Sequence, residues 1–220
     1  MPTLRSFTPR LDILPDAQRA LWTALAPVKR LGLVLYGGTA IALRLGHRQS
    51  IDFDFFASTE LEKGQLRDQL PFLRAAQILQ DEPGTLVVST AGDPVKVSFF
   101  WGMSLGRVGE PQETDDGALR VAALIDLMAT KLKAILDRAE AKDYLDLAAL
   151  LRAGVPLEDG IAAFVALFGG EPATVLRALG YFGDGDLMAL SEADRLVLRA
   201  ARDRVGPLPA IPPKAPMLDK

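Results

Sequence analysis

The sequence predicts an α+β fold, a mixed sheet with helices followed by a helical bundle. Three observations carry that prediction. Short apolar or alternating runs, separated by turns rich in Gly, Pro and Asp, fill the chain to about residue 121. From residue 123 the apolar positions recur at helical spacing almost to the end. Hydrophobic residues make up 49% of the 220 positions, ample for a packed core.

The elements follow in order. From Asp16 to about Arg30, Ala17, Leu21, Leu25 and Val28 recur at helical spacing, with Pro15 and Asp16 as start signals and Gly32 as a stop. "LVLY", 33 to 36, is a short strand that ends in Gly37-Gly38. "TAIALRLG" continues at helical spacing, and "SIDFDFFA" alternates Ile51, Phe53 and Phe55 against Asp52, Asp54 and Phe56, so the first three should face the core. Ser58 or Thr59 caps a helix expected to run to Leu70. "AAQILQ", "TLVVST" and "PVKVSFFW" then read as strands between Asp-Glu-Pro-Gly and Ala-Gly-Asp-Pro turns. Helices are expected near 123 to 137, 140 to 152, 157 to 168, 172 to 182 and 191 to 204. The final 15 residues, 206 to 220, hold five of the 15 prolines, which favours an extended segment, poorly ordered or lying on a partner.

Composition removes several function classes. The absence of cysteine excludes disulfides, thiolate metal sites and cysteine nucleophiles. A single histidine, His47, argues against a zinc site or a histidine-based triad. The amino terminus lacks the apolar core of a signal peptide, and no run approaches the roughly 20 apolar residues of a membrane span. The expectation is a cytoplasmic protein with no membrane partner. A net charge of −3 gives no global basic field, so any polynucleotide partner must be held locally.

The chemistry gathers at one place. Gly37-Gly38 follow a strand and open a helix, where backbone N–H groups and the helix dipole can hold a phosphate and a side chain would obstruct approach. Alone, the pair is better read as a simple tight turn. After 13 further residues the next strand brings Asp52 and Asp54. Nineteen Asp in 220 residues yield about one or two Asp-x-Asp triplets by chance, and the chain has two, so context must decide. Residues i and i+2 of a strand share a face, which sets Asp52 and Asp54 side by side near the phosphate-holding turn. Two carboxylates completed by phosphate oxygens is the usual protein arrangement for Mg²⁺, and Mn²⁺ fits the same donors. The other triplet, Asp184-Gly185-Asp186, lies between helical segments and reads as a turn or cap.

The Gly-Gly, 13-residue, Asp-Phe-Asp pattern resembles the signature of the nucleotidyltransferase superfamily, whose fold is DNA polymerase β-like. "GGTAIALRLGHRQSIDFDFF" is similar to the AbiEii/AbiGii abortive-infection toxins of that superfamily, bacterial proteins often found as the toxin of a toxin–antitoxin pair. "LIDLMATKLKAILDRAEAKDYLDLAALL", 124 to 151, is similar to that family's Asp-Leu-x-x-x-Lys and Lys-Asp-x-x-Asp-Leu helices. The resemblance implies a nucleotidyltransferase core over 1–121, a helical bundle over 122–205 that completes the nucleotide cleft, and the Pro-rich tail 206–220.

The residues of that second stretch carry their own signal. Leu124, Met128, Lys131 and Ile135 follow a 4, 3, 4 spacing, placing one lysine on an apolar face, where its charge must snorkel, pair or meet a ligand. Lys131 is the expected triphosphate contact, with packing as the alternative; Lys133 is expected in solvent. Asp143 and Asp146 share a helix face and could meet Lys131 or the nucleotide, although Lys142 and Asp146 also form an ordinary i,i+4 pair. Asp126 is either a site residue or a first-turn dipole residue, and His47 and Arg48 are either helix-end residues or substrate-orienting ones.

What the resemblance implies is attack of an acceptor oxygen on the α-phosphorus of a nucleoside triphosphate, with pyrophosphate leaving. Asp52 and Asp54 would hold Mg²⁺ or Mn²⁺, Gly37, Gly38 and Thr39 would cradle the β- and γ-phosphates, and Lys131 and Asp143 would complete the catalytic set. The expected acceptor is RNA, tRNA first, or a protein; a cognate antitoxin is the further partner. Many polymerase β-like enzymes add a third carboxylate from a later strand, and the alternation of "PVKVSFFW" puts Ser98 at that place. Three outcomes follow: one metal, recruitment of Asp93, or a degenerate nucleotide-binding regulator or complex subunit. A plain adaptor with solvent-facing Asp52 and Asp54 is the remaining reading.

Overall fold

A computed structural model describes residues 5–103 and 105–214. The described residues form two compact units, one of residues 5–103, 105–106 and 110–123, the other of 107–109 and 124–214.

The described residues of the first unit form an eight-stranded mixed sheet. Its strands are β1 (Ser6–Phe7), β2 (Val34–Tyr36), β3 (Asp52–Phe56), β4 (Gln77–Glu82), β5 (Thr85–Ser89), β6 (Lys96–Phe100), β7 (Gln112–Thr114) and β8 (Arg120–Val121), in the order β1-β7-β8-β2-β3-β6-β5-β4. The three central strands matter most: β2 runs antiparallel to β3, and β3 runs parallel to β6. The alternation in β3 behaves as its sequence predicts, with Phe53 and Phe55 fully buried and Asp52, Asp54 and Phe56 partly exposed. Phe53, Phe55 and Phe99 stack in a row beneath the sheet. Ile51 departs from expectation. It is 66% exposed because β3 begins one residue later, so no strand pleat directs it inward.

Around the sheet lie α1 (Asp16–Leu21), α2 (Gly37–Leu45) and α3 (Lys63–Gln69). The single helix expected over 16–30 is instead α1 followed by a 3₁₀ segment, Trp22–Leu31, which contains Pro27. Proline has no N–H to donate into an α-helical ladder. The expected cap at Ser58 or Thr59 is also corrected: α3 starts at Lys63 after Glu62, and the Ser58 hydroxyl donates to the Leu105 carbonyl at 3.1 Å. Strands β1, β7 and β8 escape the sequence pattern because two or three residues are too short to display a period of two.

The second unit is helical: α4 (Leu124–Asp137), α5 (Ala141–Arg152), α6 (Leu157–Phe168), α7 (Pro172–Ala178) and α8 (Glu192–Asp203), with a 3₁₀ turn at Gly185–Ala189 before α8. Helix α4 packs on α5, α6 and α7, and α5 packs on α8. Gly160 permits the close approach of α6 to α4, since a Cβ there would lie 2.6 Å from Met128 Cγ. The Asp184-Gly185-Asp186 triplet is a turn and cap, as expected: Tyr181 donates to Asp184 at 3.0 Å, and Asp186 accepts the Ala141 N–H at the start of α5 at 2.8 Å. Residues 206–214 form neither helix nor strand, and the Lys214 N–H donates to the Arg107 carbonyl at 2.9 Å. The rest of the Pro-rich segment lies outside the described residues.

Candidate functional site

Strand β2 ends at Tyr36 in extended backbone, and Gly37 turns the chain into α2 with φ +76, a conformation that disfavours any L side chain. A second constraint falls on the same residue. A Cβ on Gly37 would stand 2.7 Å from Asp54 Oδ2, so the carboxylate lies directly against the turn. At Gly38 a Cβ would collide with the Arg48 guanidinium and stand 3.0 Å from Ser50 Oγ. The glycine turn is thus bordered by a carboxylate on one side and by a cation and a hydroxyl on the other.

Helix α2 is fixed behind this turn. Its partly buried Arg44 donates to Gln112 and to the carbonyls of Val121 and Ala122, and its guanidinium lies 4.2 Å from the Phe7 ring centroid. Burial lowers the Arg44 pKa to about 10, so it stays charged at neutral pH. The Thr39 hydroxyl donates to the Asp52 carbonyl and is buried, which ties α2 to β3. Thr39 therefore has its backbone N–H, rather than its side chain, to offer an anion. His47 and Arg48 follow the Gly46 turn that ends α2, and Arg48 also donates to the Gln49 carbonyl at 2.8 Å.

Strand register arranges the carboxylates. Asp54 is the cross-strand partner of Tyr36 on β2 and of Ser98 on β6, and Asp52 is the partner of Lys96. Cross-strand partners share a face, so Asp52, Asp54, Lys96 and Ser98 lie on one side of the sheet. The Lys96 Nζ is 3.8 Å from Asp52 Oδ2. Ser98, at the strand position expected for a third carboxylate, lies opposite Asp54 and is buried. Asp93 sits in the β5–β6 turn and lines a separate cleft of about 340 Å³ with Ala17, Leu21 and Phe72. Among the described residues no cluster of three or more His, Cys, Asp or Glu side chains is placed to hold a metal ion. Two adjacent carboxylates beside a phosphate-type turn fit one divalent cation whose shell a substrate completes.

The second unit holds its own charged cluster. Lys131 on α4 pairs with Asp143 Oδ1 and Asp146 Oδ2 on α5, each at 2.6 Å; the lysine side chain is 8% exposed and both carboxylates are fully buried. Arg138 adds a bond to Asp143 Oδ2 at 2.9 Å. Of the three fates open to a lysine on an apolar face, this one pairs, and the group of two cations and two anions is formally neutral. The i,i+4 pairing of Lys142 with Asp146 does not form: Lys142 pairs with Glu140 at 2.7 Å, while Asp146 turns inward to Lys131. Lys133 pairs with Asp137 on the outer face.

Asp126 stands apart from this cluster. Its carboxylate accepts the backbone N–H groups of Val108 at 2.8 Å and Gly109 at 3.0 Å. Burial pushes its pKa up to about 6 despite those bonds. Asp126 thus staples the 107–109 segment to the first turn of α4. Sequence reasoning missed Ser50, Arg138 and the pairing of Lys96. Lys96 had a visible signal, since it alternates onto the face of Ser98, but only register assigns it to Asp52.

Comparison with known proteins agrees with this architecture. The chain is 33% identical over 135 residues to the uncharacterized protein aq_aa25 of Aquifex aeolicus (strain VF5), across 59% of this chain and 64% of that one, so it spans a little less than two thirds of that relative. Its fold is similar to the solution structure of the antibiotic-resistance factor ANT(2'')-Ia, with a TM-score of 0.52 at 14% identity over 69% of this chain and 92% of that one. The model of the nucleotidyl transferase AbiEii toxin family, type IV toxin–antitoxin system, matches residues 19–212. The expected α+β nucleotidyltransferase fold is borne out, and the chain belongs to the AbiEii nucleotidyl transferase toxin family.

Proposed function

We propose that the protein transfers a nucleoside monophosphate from a nucleoside triphosphate onto an RNA, tRNA first, or onto a protein, and acts as the toxin of a type IV toxin–antitoxin pair in the cytoplasm. The observation that carries this reading is Asp54 lying against Gly37, with Asp52 beside it on the same strand face. The acceptor hydroxyl oxygen forms a bond to the α-phosphorus as its proton passes to solvent water, the bond from that phosphorus to the α,β-bridging oxygen breaks, and pyrophosphate leaves. Asp52 and Asp54 would hold Mg²⁺ or Mn²⁺, which supplies Lewis-acid stabilisation of charge on the phosphates. The N–H groups of Gly37, Gly38 and Thr39 bind the β- and γ-phosphates at the start of α2. Arg48, beside Gly38, neutralises the same oxygens, and His47 orients the acceptor side of the turn. The family's helix motifs, rather than geometry, assign Lys131 to the triphosphate tail and Asp143 to the catalytic set; within their own unit Asp143 and Asp146 fix the direction of the ammonium.

The test is transfer of label from each α-³²P nucleoside triphosphate onto cellular RNA and protein with Mg²⁺. Label is expected with at least one nucleotide and is expected to vanish in Asp52→Ala/Asp54→Ala. A second reading, a nucleotide-binding regulator without transfer, is favoured by Ser98 opposite Asp54. Nucleotide binding with no labelling of either acceptor class would select it. The cognate antitoxin is the expected partner in both.

A further inference from the structure

We infer that Lys96 supplies the second positive charge of the site, so that the reaction runs with one divalent ion and one ammonium rather than with two metals. This rests on the proposed transfer at Asp52 and Asp54. Three observations point to it. The Lys96 Nζ lies 3.8 Å from Asp52 Oδ2, on the same sheet face and in direct register. Its side chain is 48% exposed, so the ammonium is free to turn from Asp52 to a substrate oxygen. The neighbouring position on that strand face, Ser98, is neutral and 1% exposed. A second Mg²⁺ keeps several waters and needs a carboxylate; a sealed hydroxyl provides neither the room nor the charge.

The charge balance supports the substitution. Three carboxylates with two divalent ions present one net positive charge to the triphosphate. Two carboxylates, one ammonium and one divalent ion present the same net charge. Asp52 would then serve both the ion and the ammonium, and Lys96 would supply positive charge to a phosphate oxygen of the substrate. No bond to Lys96 forms or breaks, and its role is electrostatic.

The experiment counts Mn²⁺ by electron paramagnetic resonance in the full chain saturated with a non-hydrolysable triphosphate analogue. One ion per complex is expected, lost in Asp52→Ala/Asp54→Ala. Without nucleotide, Lys96→Ala is expected to bind Mn²⁺ about threefold to tenfold more tightly, because a cation beside the ion has been removed. The same variant is expected to bind the analogue more weakly and to transfer label more slowly, and Lys96→Arg is expected to restore all three quantities toward the original. A mere surface ion pair would leave analogue affinity unchanged. Two ions per complex, or unchanged Mn²⁺ affinity in Lys96→Ala, overturns the inference while leaving the transfer reading intact. Mn²⁺ binding indifferent to Asp52 and Asp54 overturns both.

Discussion

At the scale of single residues, Gly37 is the most constrained position in the site. Two independent demands meet there, a positive φ and the carboxylate of Asp54 within 2.7 Å of any Cβ. Gly37→Ala is expected to cost about 1–2 kcal/mol of stability from the left-handed backbone alone. The displaced Asp54 adds a functional loss, and label transfer should fall about 100-fold, the order expected when a reacting group moves by an ångström. Urea unfolding and the labelling assay on one preparation separate the two effects. A variant that retains full transfer would show that Asp54 does not act from this position.

At the scale of elements, the contact between α4 and α5 depends on charge as well as on apolar packing. Lys131 neutralises two fully buried carboxylates, and its removal leaves Asp143 with Arg138 alone and takes from Asp146 its ammonium partner. Lys131→Met is expected to destabilise the protein by about 3–5 kcal/mol, the usual cost of breaking a buried pair from one side. Adding Asp143→Asn and Asp146→Asn to that variant should recover most of the loss, because no uncompensated charge then remains buried. Equilibrium unfolding of the single and triple variants tests this. A single variant as stable as the original would mean that the lysine contributes nothing to the helix pair.

For the whole molecule, residues 107–109 interrupt the first unit in sequence but belong to the second, where Asp126 holds them through two backbone N–H groups. Its pKa is raised from 3.8 to about 6, so the folded state binds this proton more tightly than the unfolded chain does. The stabilisation from the neutral form is complete below the unfolded value and is lost as pH rises through about 6. Over that window the group withdraws on the order of 3 kcal/mol. Asp126→Asn should remove this contribution, so that the difference in unfolding free energy between variant and original changes from pH 4 to pH 7. A constant difference across that range would refute the assignment.

Much of this architecture was legible because it depends on local rules. Period-two alternation placed Asp52 and Asp54 on one face and Phe53 and Phe55 in the core, and the 3.6-residue period located all five helices of the second unit. The turn role of Asp184-Gly185-Asp186 followed from glycine and Asp chemistry alone. Other features needed the folded chain. Strand register has no signature within a single strand, so the pairing of Lys96 with Asp52 and of Ser98 with Asp54 appears only when β3 and β6 align. Side-chain direction likewise lies beyond helical spacing: the same i,i+4 interval offered Asp146 to Lys142, yet the ion pair with Lys131 on a facing helix holds it inward. By itself the sequence determined the longer strands, the helices of the second unit and the order of both, since these rest on periods and propensities along the chain. Tertiary structure alone decided which charges are partnered, because partnership depends on distances between segments remote in sequence.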